Sequence, residues 1–319
     1  MQTNALVLTV AERLDDRGDI MQLTLRGAGD LPAFTAGAHI DLLVETAEGP
    51  VWRQYSLAGD PSDRSAYRLG ILRDPASRGG SVALHDTLKT GASVHVEGPR
   101  NHFPLAEASF SVLFGGGIGI TPMLAMAWEL SAKGADFILH YATRSQDRTA
   151  FLDQIKSFPF AEKIVLHHDD GAGAGPVDLA RDLPEAAVGT HIYVCGPQGF
   201  MEWVINGAEA AGYAPANIHR EYFSADVDVT GDSYEVECAV SGITVTVGPE
   251  DTIVKALARG GIKIEVKCEE GICGTCVTDV IAGEIDHRDQ FLTEEEREEG
   301  DQICACCSRA CGKRIVLDI

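Results

Sequence analysis

Over the first hundred residues, apolar and polar positions alternate in short runs. ALVLTV, IMQLTLRG, AHIDLLVE, VWRQYSL, AYRLGILRD and SVHVEGP each have the composition of a short strand, and Gly, Pro and Asp separate them. Strands punctuated in this way predict a small antiparallel barrel or sandwich. At Phe110 the pattern changes. SVLF, FILHYA, KIVLHH and HIYVCG are continuous apolar runs suited to buried parallel strands. Between them PMLAMAWELSAKG, TAFLDQIKSF and QGFMEWVINGAEAAG are predicted to be helical. Strand–helix alternation implies a doubly wound α/β domain, ending near HREYFSA. The polar segment ADVDVTGDS predicts a linker. From Tyr234 a third pattern begins: strands YEVECAV and ITVTVG, a helix TIVKALARGG, a cysteine-rich loop, and a closing strand KRIVLDI. The chain is therefore read as multi-domain, with a β-barrel over 1–104, an α/β domain over 105–225, a linker over 226–233 and a small α+β domain over 234–319.

A length of 319 residues exceeds one comfortable core, which agrees with this division. No run approaches the roughly 20 apolar residues of a membrane span, and the first residues lack a basic stretch followed by an apolar core. A soluble, cytoplasmic protein is expected. The formal charge of -22 argues against nucleic acid or an anionic membrane as partner. The 87 residues from Ser233 carry 18 acidic and 9 basic side chains, net -9, nearly twice the density of the rest. A docking partner with a basic patch would complement that third of the chain.

Nine cysteines are too many to be incidental, and their odd number argues against a disulfide scaffold. Cys268, Cys273 and Cys276 stand in CEEGICGTC with x4 and x2 spacing, and a fourth cysteine follows about thirty residues on. That is the plant-type arrangement for a 2Fe–2S cluster. Structural zinc ordinarily uses two CxxC pairs, and only one is present. Gly271 and Gly274 allow the loop to fold tightly. Cys304, Cys306, Cys307 and Cys311 compete for the fourth position. Read as a strand, that segment would send Cys306 and Cys307 to opposite faces. Cys238 is read as a core hydrophobe.

Two further stretches bear on cofactors. Arg53, Tyr55 and Ser56 of RQYS close a barrel strand, and Gly79, Gly80 and Ser81 open a helical run. Free amides at such a helix start suit a phosphate, Arg53 can add a fork to it, and Tyr55 can lie along a flat ring. In SVLFGGGIGITPM, Gly116 and Gly117 lie in a turn between strand and helix, with Thr121 placed to cap the helix and Pro122 in its first turn. Ile120 stands where a strict dinucleotide fingerprint has its third glycine. Cys195, Gly196 and Pro197 end another strand, where α/β sheets bind ligands. Phe223 is positioned to cover a flavin face. Arg144 and Arg148 follow the second strand of the α/β domain where an acid would favour a free ribose hydroxyl, so the residues alone leave NADH and NADPH open. His39, His85, His95, His102, His140, His167 and His168 share no ligand spacing and are read as structural or surface residues.

The order of these motifs resembles the family of phthalate dioxygenase reductase and vanillate demethylase reductase, over almost the full length. RQYSL, LRDPASRGGS, GGGIGITPML, CGPQ, EYF, CEEGICGTC, EIDHRD and CCSRA carry the resemblance. It implies an FMN-binding antiparallel barrel, an NAD-binding domain and a C-terminal plant-type ferredoxin domain of β-grasp fold. It implies that Arg53, Tyr55 and Ser56 hold the flavin, that Gly70, Ile71 and Leu72 offer backbone groups to its ring, and that Gly79, Gly80 and Ser81 hold its phosphate. Leu72 stands where the family often has lysine. The resemblance further implies that Phe223 shields the flavin and that Thr121 and the Cys195 loop flank the nicotinamide. It selects Cys306, which precedes x-Ser-Arg, as the fourth ligand, and NADH as the donor.

A nicotinamide gives two electrons at once and a 2Fe–2S cluster accepts one, so a flavin between them explains three modules in one chain. No residue is nominated as catalytic acid or base. Plant-type clusters lie near about -400 mV and Rieske centres at roughly -150 mV or above, about four decades downhill for one electron. The expected function is an NADH-dependent oxidoreductase, the reductase component that feeds a terminal Rieske-type oxygenase. The alternatives are the same electron chain serving a cytochrome P450 or di-iron hydroxylase, or a non-enzymatic iron–sulfur binding or sensing protein.

Overall fold

The computed structural model describes residues 5–76, 78–225 and 227–319. These form two compact units, the first ending at Glu221 and the second running from Tyr222 to Ile319.

The first unit begins with strands β1 (Leu6–Asp15), β2 (Ile20–Arg26), β3 (Ala38–Thr46), β4 (Gly49–Ser56), β5 (Tyr67–Leu72) and β6 (Ser93–Asn101), with helix α1 (Gly80–Thr87) between the last two. They form one antiparallel sheet in the order β4-β3-β6-β1-β2-β5. The sheet curls until its two edges meet through a bridge between Leu57 and Leu69, which closes a barrel. Its interior is filled by residues such as Val10, Leu25, Ile40, Leu42, Ile71 and Val96. Closure leaves the ends of β4 and β5 near each other, which places the RQYS residues and Gly70 at one rim.

The same unit continues with β7 (Phe110–Gly116), α2 (Ile120–Ala132), β8 (Phe137–Thr143), α3 (Leu152–Ile155), β9 (Ile164–His168), α4 (Leu179–Asp182), β10 (Thr190–Cys195), α5 (Gln198–Ala210) and β11 (Ile218–Glu221). The strands are parallel, in the order β11-β10-β7-β8-β9. The chain turns from β7 to β8 on one side and reaches β10 on the other, so the order reverses between β7 and β10. Ligands of open α/β sheets bind at the carboxyl ends there. The helix expected from TAFLDQIKSF is a single turn, α3. Phe151 adopts a left-handed backbone, φ 60°, and its amide is held by Asp16 Oδ2 at 2.7 Å, so a contact from the barrel keeps the helix from starting before Leu152.

The second unit has β12 (Tyr234–Cys238), β13 (Ile243–Val247), α6 (Ile253–Arg259), β14 (Val277–Ala282), β15 (Ile285–Asp286), α7 (Glu294–Glu299), β16 (Gln302–Cys304), β17 (Arg309–Ala310) and β18 (Arg314–Leu317). A mixed sheet runs β13-β12-β18-β14-β16, with β12 parallel to β18, and α6 packs on it, as in a β-grasp fold. Val236, Leu257, Ile303 and Ile315 are in its core together with Cys276, Cys304, Cys306 and Cys307.

Candidate functional site

At the barrel rim, Arg53 and Gly80 are in contact. A methyl group on Gly80 would stand 3.0 Å from Arg53 Cγ and Nε. The guanidinium is thereby brought to the start of α1, whose cap residue Gly79 has φ 81° and no side chain to occupy the first amides. Ser81 Oγ accepts from the Asp74 amide at 3.2 Å and so fixes the loop that precedes the helix. Tyr55 is half-buried, and burial pushes its phenol upward. On β5, the Ile71 carbonyl is bonded by His85 Nε2 at 2.8 Å. Gly70 has no room for a side chain, because a Cβ there would lie 2.9 Å from Thr121 Cγ2 and from the Phe151 ring.

Thr121 thus links β5 to the glycine turn. It does not cap α2 as expected. Gly119 occupies the cap position, and Thr121 lies inside the first turn with its hydroxyl donating to the Ile118 carbonyl at 3.0 Å. Pro122 is in that turn too. The glycines here serve backbone packing as well as any ligand. A Cβ on Gly119 would stand 2.2 Å from the Cys195 carbonyl oxygen, and one on Gly196 would stand 3.0 Å from Gly116 Cα. Gly116, Gly117 and the Cys195–Gly196–Pro197 turn are therefore brought together at the point where strand order reverses. Arg144 is exposed just past β8, while Arg148 is engaged with Asp19 at 3.1 Å.

Sequence reasoning missed two residues in this region. Glu221 is in register with Cys195 across β10 and β11, and its carboxyl accepts from Ser56 Oγ at 3.1 Å. Burial pushes it up to about 8, so it is mostly protonated at neutral pH. Burial, with Glu221 alongside, also keeps the Cys195 thiol neutral. Phe151 is the other, held against Gly70 by its left-handed backbone. The pairing of sheet edges that gathers them has no local sequence signal. Phe223 follows β11 in the second unit and is half-buried.

In the second unit, Cys268, Cys273, Cys276 and Cys306 are all buried. Their sulfurs are close enough to share hydrogen bonds. Hydrogen bonds from Cys273 and Cys306 draw the Cys268 thiol down, and those from Cys304 and Cys306 draw Cys276 down. The donors Cys273, Cys304 and Cys306 are pushed up in return. Cys306 is the residue that touches both ends of the 268–276 loop, through Cys268 and Cys276. The expected strand through Cys306 and Cys307 is a turn instead, because β16 ends at Cys304, so alternation between faces does not separate these two. Cys307 turns toward Gly271, where its Sγ would lie 2.5 Å from an added Cβ. Cys311 is exposed.

The donor set fits an iron–sulfur cluster: buried soft thiols, a Glu270 amide donating to Cys268 Sγ at 3.4 Å, and glycines at φ 68° and 69° where side chains are excluded. At Gly274 a Cβ would stand 2.1 Å from the Phe291 ring. Asp289, 1 % exposed, holds the facing loop by accepting from the Leu292 amide at 2.8 Å and from Ser308 Oγ at 3.1 Å. Arg309, 3 % exposed, gathers the carbonyls of Val229, Asp251, Asp232 and Gly248 at 2.6–3.1 Å. The EIDHRD and CCSRA motifs are thus partly structural.

An oxidoreductase NAD-binding domain matches residues 113–205 and a 2Fe-2S iron-sulfur cluster binding domain matches residues 236–311. The vanillate O-demethylase oxidoreductase of a Pseudomonas species is 47 % identical over 91 % of this chain and 92 % of its own length. The carnitine monooxygenase reductase subunit of Escherichia coli is 39 % identical over 91 % of this chain and 90 % of its own. The structure of phthalate dioxygenase reductase superposes with a TM-score of 0.74 at 34 % identity, covering 99 % of this chain and 98 % of that one. An intact self-sufficient cytochrome P450 monooxygenase superposes with a TM-score of 0.87 at 38 % identity, where the match covers 99 % of this chain and 41 % of the longer one. With a flavin barrel, a nucleotide domain and a ferredoxin domain in one polypeptide, the chain belongs to the family of vanillate O-demethylase oxidoreductase and phthalate dioxygenase reductase, the NADH-dependent, FMN- and 2Fe–2S-containing reductase components of oxygenase systems.

Proposed function

We propose that this chain carries electrons from NADH to a Rieske-type terminal oxygenase that docks transiently, and that it does so in the cytoplasm. Nine cysteines, none in a disulfide, suit a reducing compartment, and among the described residues no helix is long and apolar enough to cross a membrane. The modules are assigned to 1–104, 105–225 and 234–319, with 226–233 between the last two; Asp226 lies outside the described residues. In this reading Arg53 with Gly79, Gly80 and Ser81 holds the FMN phosphate. Tyr55, Ser56 and the backbone of Gly70, Ile71 and Leu72 orient its ring. Gly116, Gly117, Thr121, Pro122, Arg144, Cys195, Gly196 and Pro197 hold the nucleotide. Cys268, Cys273, Cys276 and Cys306 hold the cluster.

The contact of Gly70 with Thr121 is the observation that carries the reading. It joins the strand assigned to the flavin to the turn assigned to the nucleotide, within one compact unit. A neutral Glu221 bonded to Ser56, next to the neutral Cys195 thiol, gives the junction an uncharged floor that suits a hydride donor. When bound, FMN and the cluster together divide the hydride's electron pair into single electrons. The chain's residues position these groups and keep water from the junction.

The test is anaerobic mixing of the purified, cofactor-loaded protein with NADH and then with a purified Rieske oxygenase. The flavin and cluster bands are expected to bleach and then recover as the oxygenase is reduced. Bleaching without transfer to any Rieske protein refutes the acceptor. The match to the reductase part of a P450 monooxygenase favours a second reading, with a P450 as acceptor. The same experiment with substrate-loaded P450 under carbon monoxide decides between them.

A further inference from the structure

Two histidines outside the cofactor sites meet a carboxylate beneath the connection between β9 and β10. His140, in the middle of β8, is 2 % exposed, and His167, near the end of β9, is 1 % exposed. His140 Nδ1 and His167 Nε2 are 2.9 Å apart. Asp182 Oδ2, at the end of α4, is 3.9 Å from His167 Nε2, and its side chain is 7 % exposed. One ligand atom from each of the three residues lies within 4.8 Å of the others. Donors around a tetrahedral ion with bonds of about 2.0–2.2 Å stand roughly 3.3 Å apart, so these separations bracket what such an ion needs.

Protons alone do not satisfy this cluster. His167 Nδ1 donates to the Gly175 carbonyl at 3.1 Å, which leaves a lone pair on its Nε2 facing His140. If His140 donates from Nδ1, its own Nε2 is a bare buried acceptor, and that atom has no hydrogen-bond partner. If His140 carries its proton on Nε2 instead, two lone pairs face each other at 2.9 Å. A third proton would put a positive charge on rings that are 2 % and 1 % exposed, which burial disfavours. A divalent cation between the inner nitrogens takes up both facing lone pairs, with the His140 proton on Nε2. The surroundings match that role: one histidine is oriented by a backbone carbonyl, and the carboxylate is held by Arg181 Nε at 2.7 Å, Arg181 Nη2 at 2.8 Å and the Asp178 amide at 2.8 Å. Ligands of bound metals are commonly fixed by such outer contacts.

We propose that His140, His167 and Asp182 form a structural site for one divalent cation of the zinc class. Its work is to tie down the 21-residue connection from Asp169 to Gly189, whose sole helix among the described residues is the four-residue α4. A connection of that length with so little structure of its own needs an anchor. The site takes no part in electron transfer.

The test uses flavin- and cluster-loaded protein, cleared of loosely held metal with a mild chelator and titrated with Co2+. Uptake of about one Co2+ per chain is expected, with the visible bands of a nitrogen and oxygen site, no thiolate charge-transfer band and undiminished cluster absorption. Zn2+ is expected to displace it and to slow proteolysis within residues 169–189. His167→Ala is expected to weaken uptake by at least about 10-fold, and Asp182→Asn, which leaves the buried histidines in place, by about 10- to 100-fold. Absence of uptake, as for histidines that merely share a proton, overturns the proposal. So does uptake accompanied by a thiolate band, or uptake unchanged in both variants.

Discussion

Glu221 gives the sharpest test of how the proposed flavin–nucleotide junction is built. Its carboxyl rises from an ordinary 4.5 to about 8 because it is buried, with only the Ser56 hydroxyl bonding it in opposition. At pH 7 about nine-tenths of the molecules should carry the proton there, against under about 1 % for an ordinary carboxyl. Glu221→Gln keeps the shape and an acceptor for Ser56 while removing the titration. Infrared difference spectra of wild type minus variant should show a protonated carboxylic acid stretch at pH 6 to 7 that fades through pH 8. Stability follows with a definite sign. A group whose folded value is raised stabilises fully below its unfolded value, and that contribution is lost as pH rises from about 4.5 toward 8. The full shift corresponds to about 5 kcal/mol, an upper limit that solvent at the half-buried carboxyl reduces. Wild type should therefore lose stability relative to Glu221→Gln across that window and run parallel to it above. No carboxylic acid band at pH 6, or parallel curves throughout, refutes the reasoning.

Gly119→Ala puts a methyl group 2.2 Å from the Cys195 carbonyl oxygen, so the two turns must part. Stopped-flow reduction of the flavin by NADH should slow by about 10-fold or more, about 1.4 kcal/mol in the barrier. Serine at Cys268, Cys273, Cys276 or Cys306 should cost most of the protein-bound iron and sulfide, whereas Cys311→Ser, at an exposed position, should retain both. Arg309→Met strips four carbonyls of their donor and should destabilise the second unit by about 3 kcal/mol or more, read from loss of the cluster's visible dichroism in urea.

The barrel strands, the glycine turn and the cysteine spacing were legible because each depends on contacts close in sequence. A period of two, a strand–glycine–helix junction and an x4-x2 loop all show in a short window. Phe151 did not show, because its left-handed backbone is imposed by Asp16, 135 residues away. Glu221 was hidden for a similar reason: its role depends on register with Cys195 and on a hydroxyl from another sheet. Thr121 had the right composition for a cap, yet Gly119 fits closer to the Cys195 turn and displaced it. For the fourth ligand, alternation along a strand had no bearing once the strand ended at Cys304. Cys306 is in contact with both ends of the loop, through Cys268 and Cys276.

The grip of Arg309 on Val229 and Asp232, with Arg288 bonded to the Asp228 and Thr230 carbonyls, changes what the polar stretch before Tyr234 is. By composition it is a tether. By its bonds much of it is upholstery of the ferredoxin core. Anyone severing the C-terminal module for separate study should cut upstream of Val227. Trimming at Ser233 would take two of its four carbonyls from the buried Arg309 guanidinium, and the fragment would falter for reasons unrelated to iron.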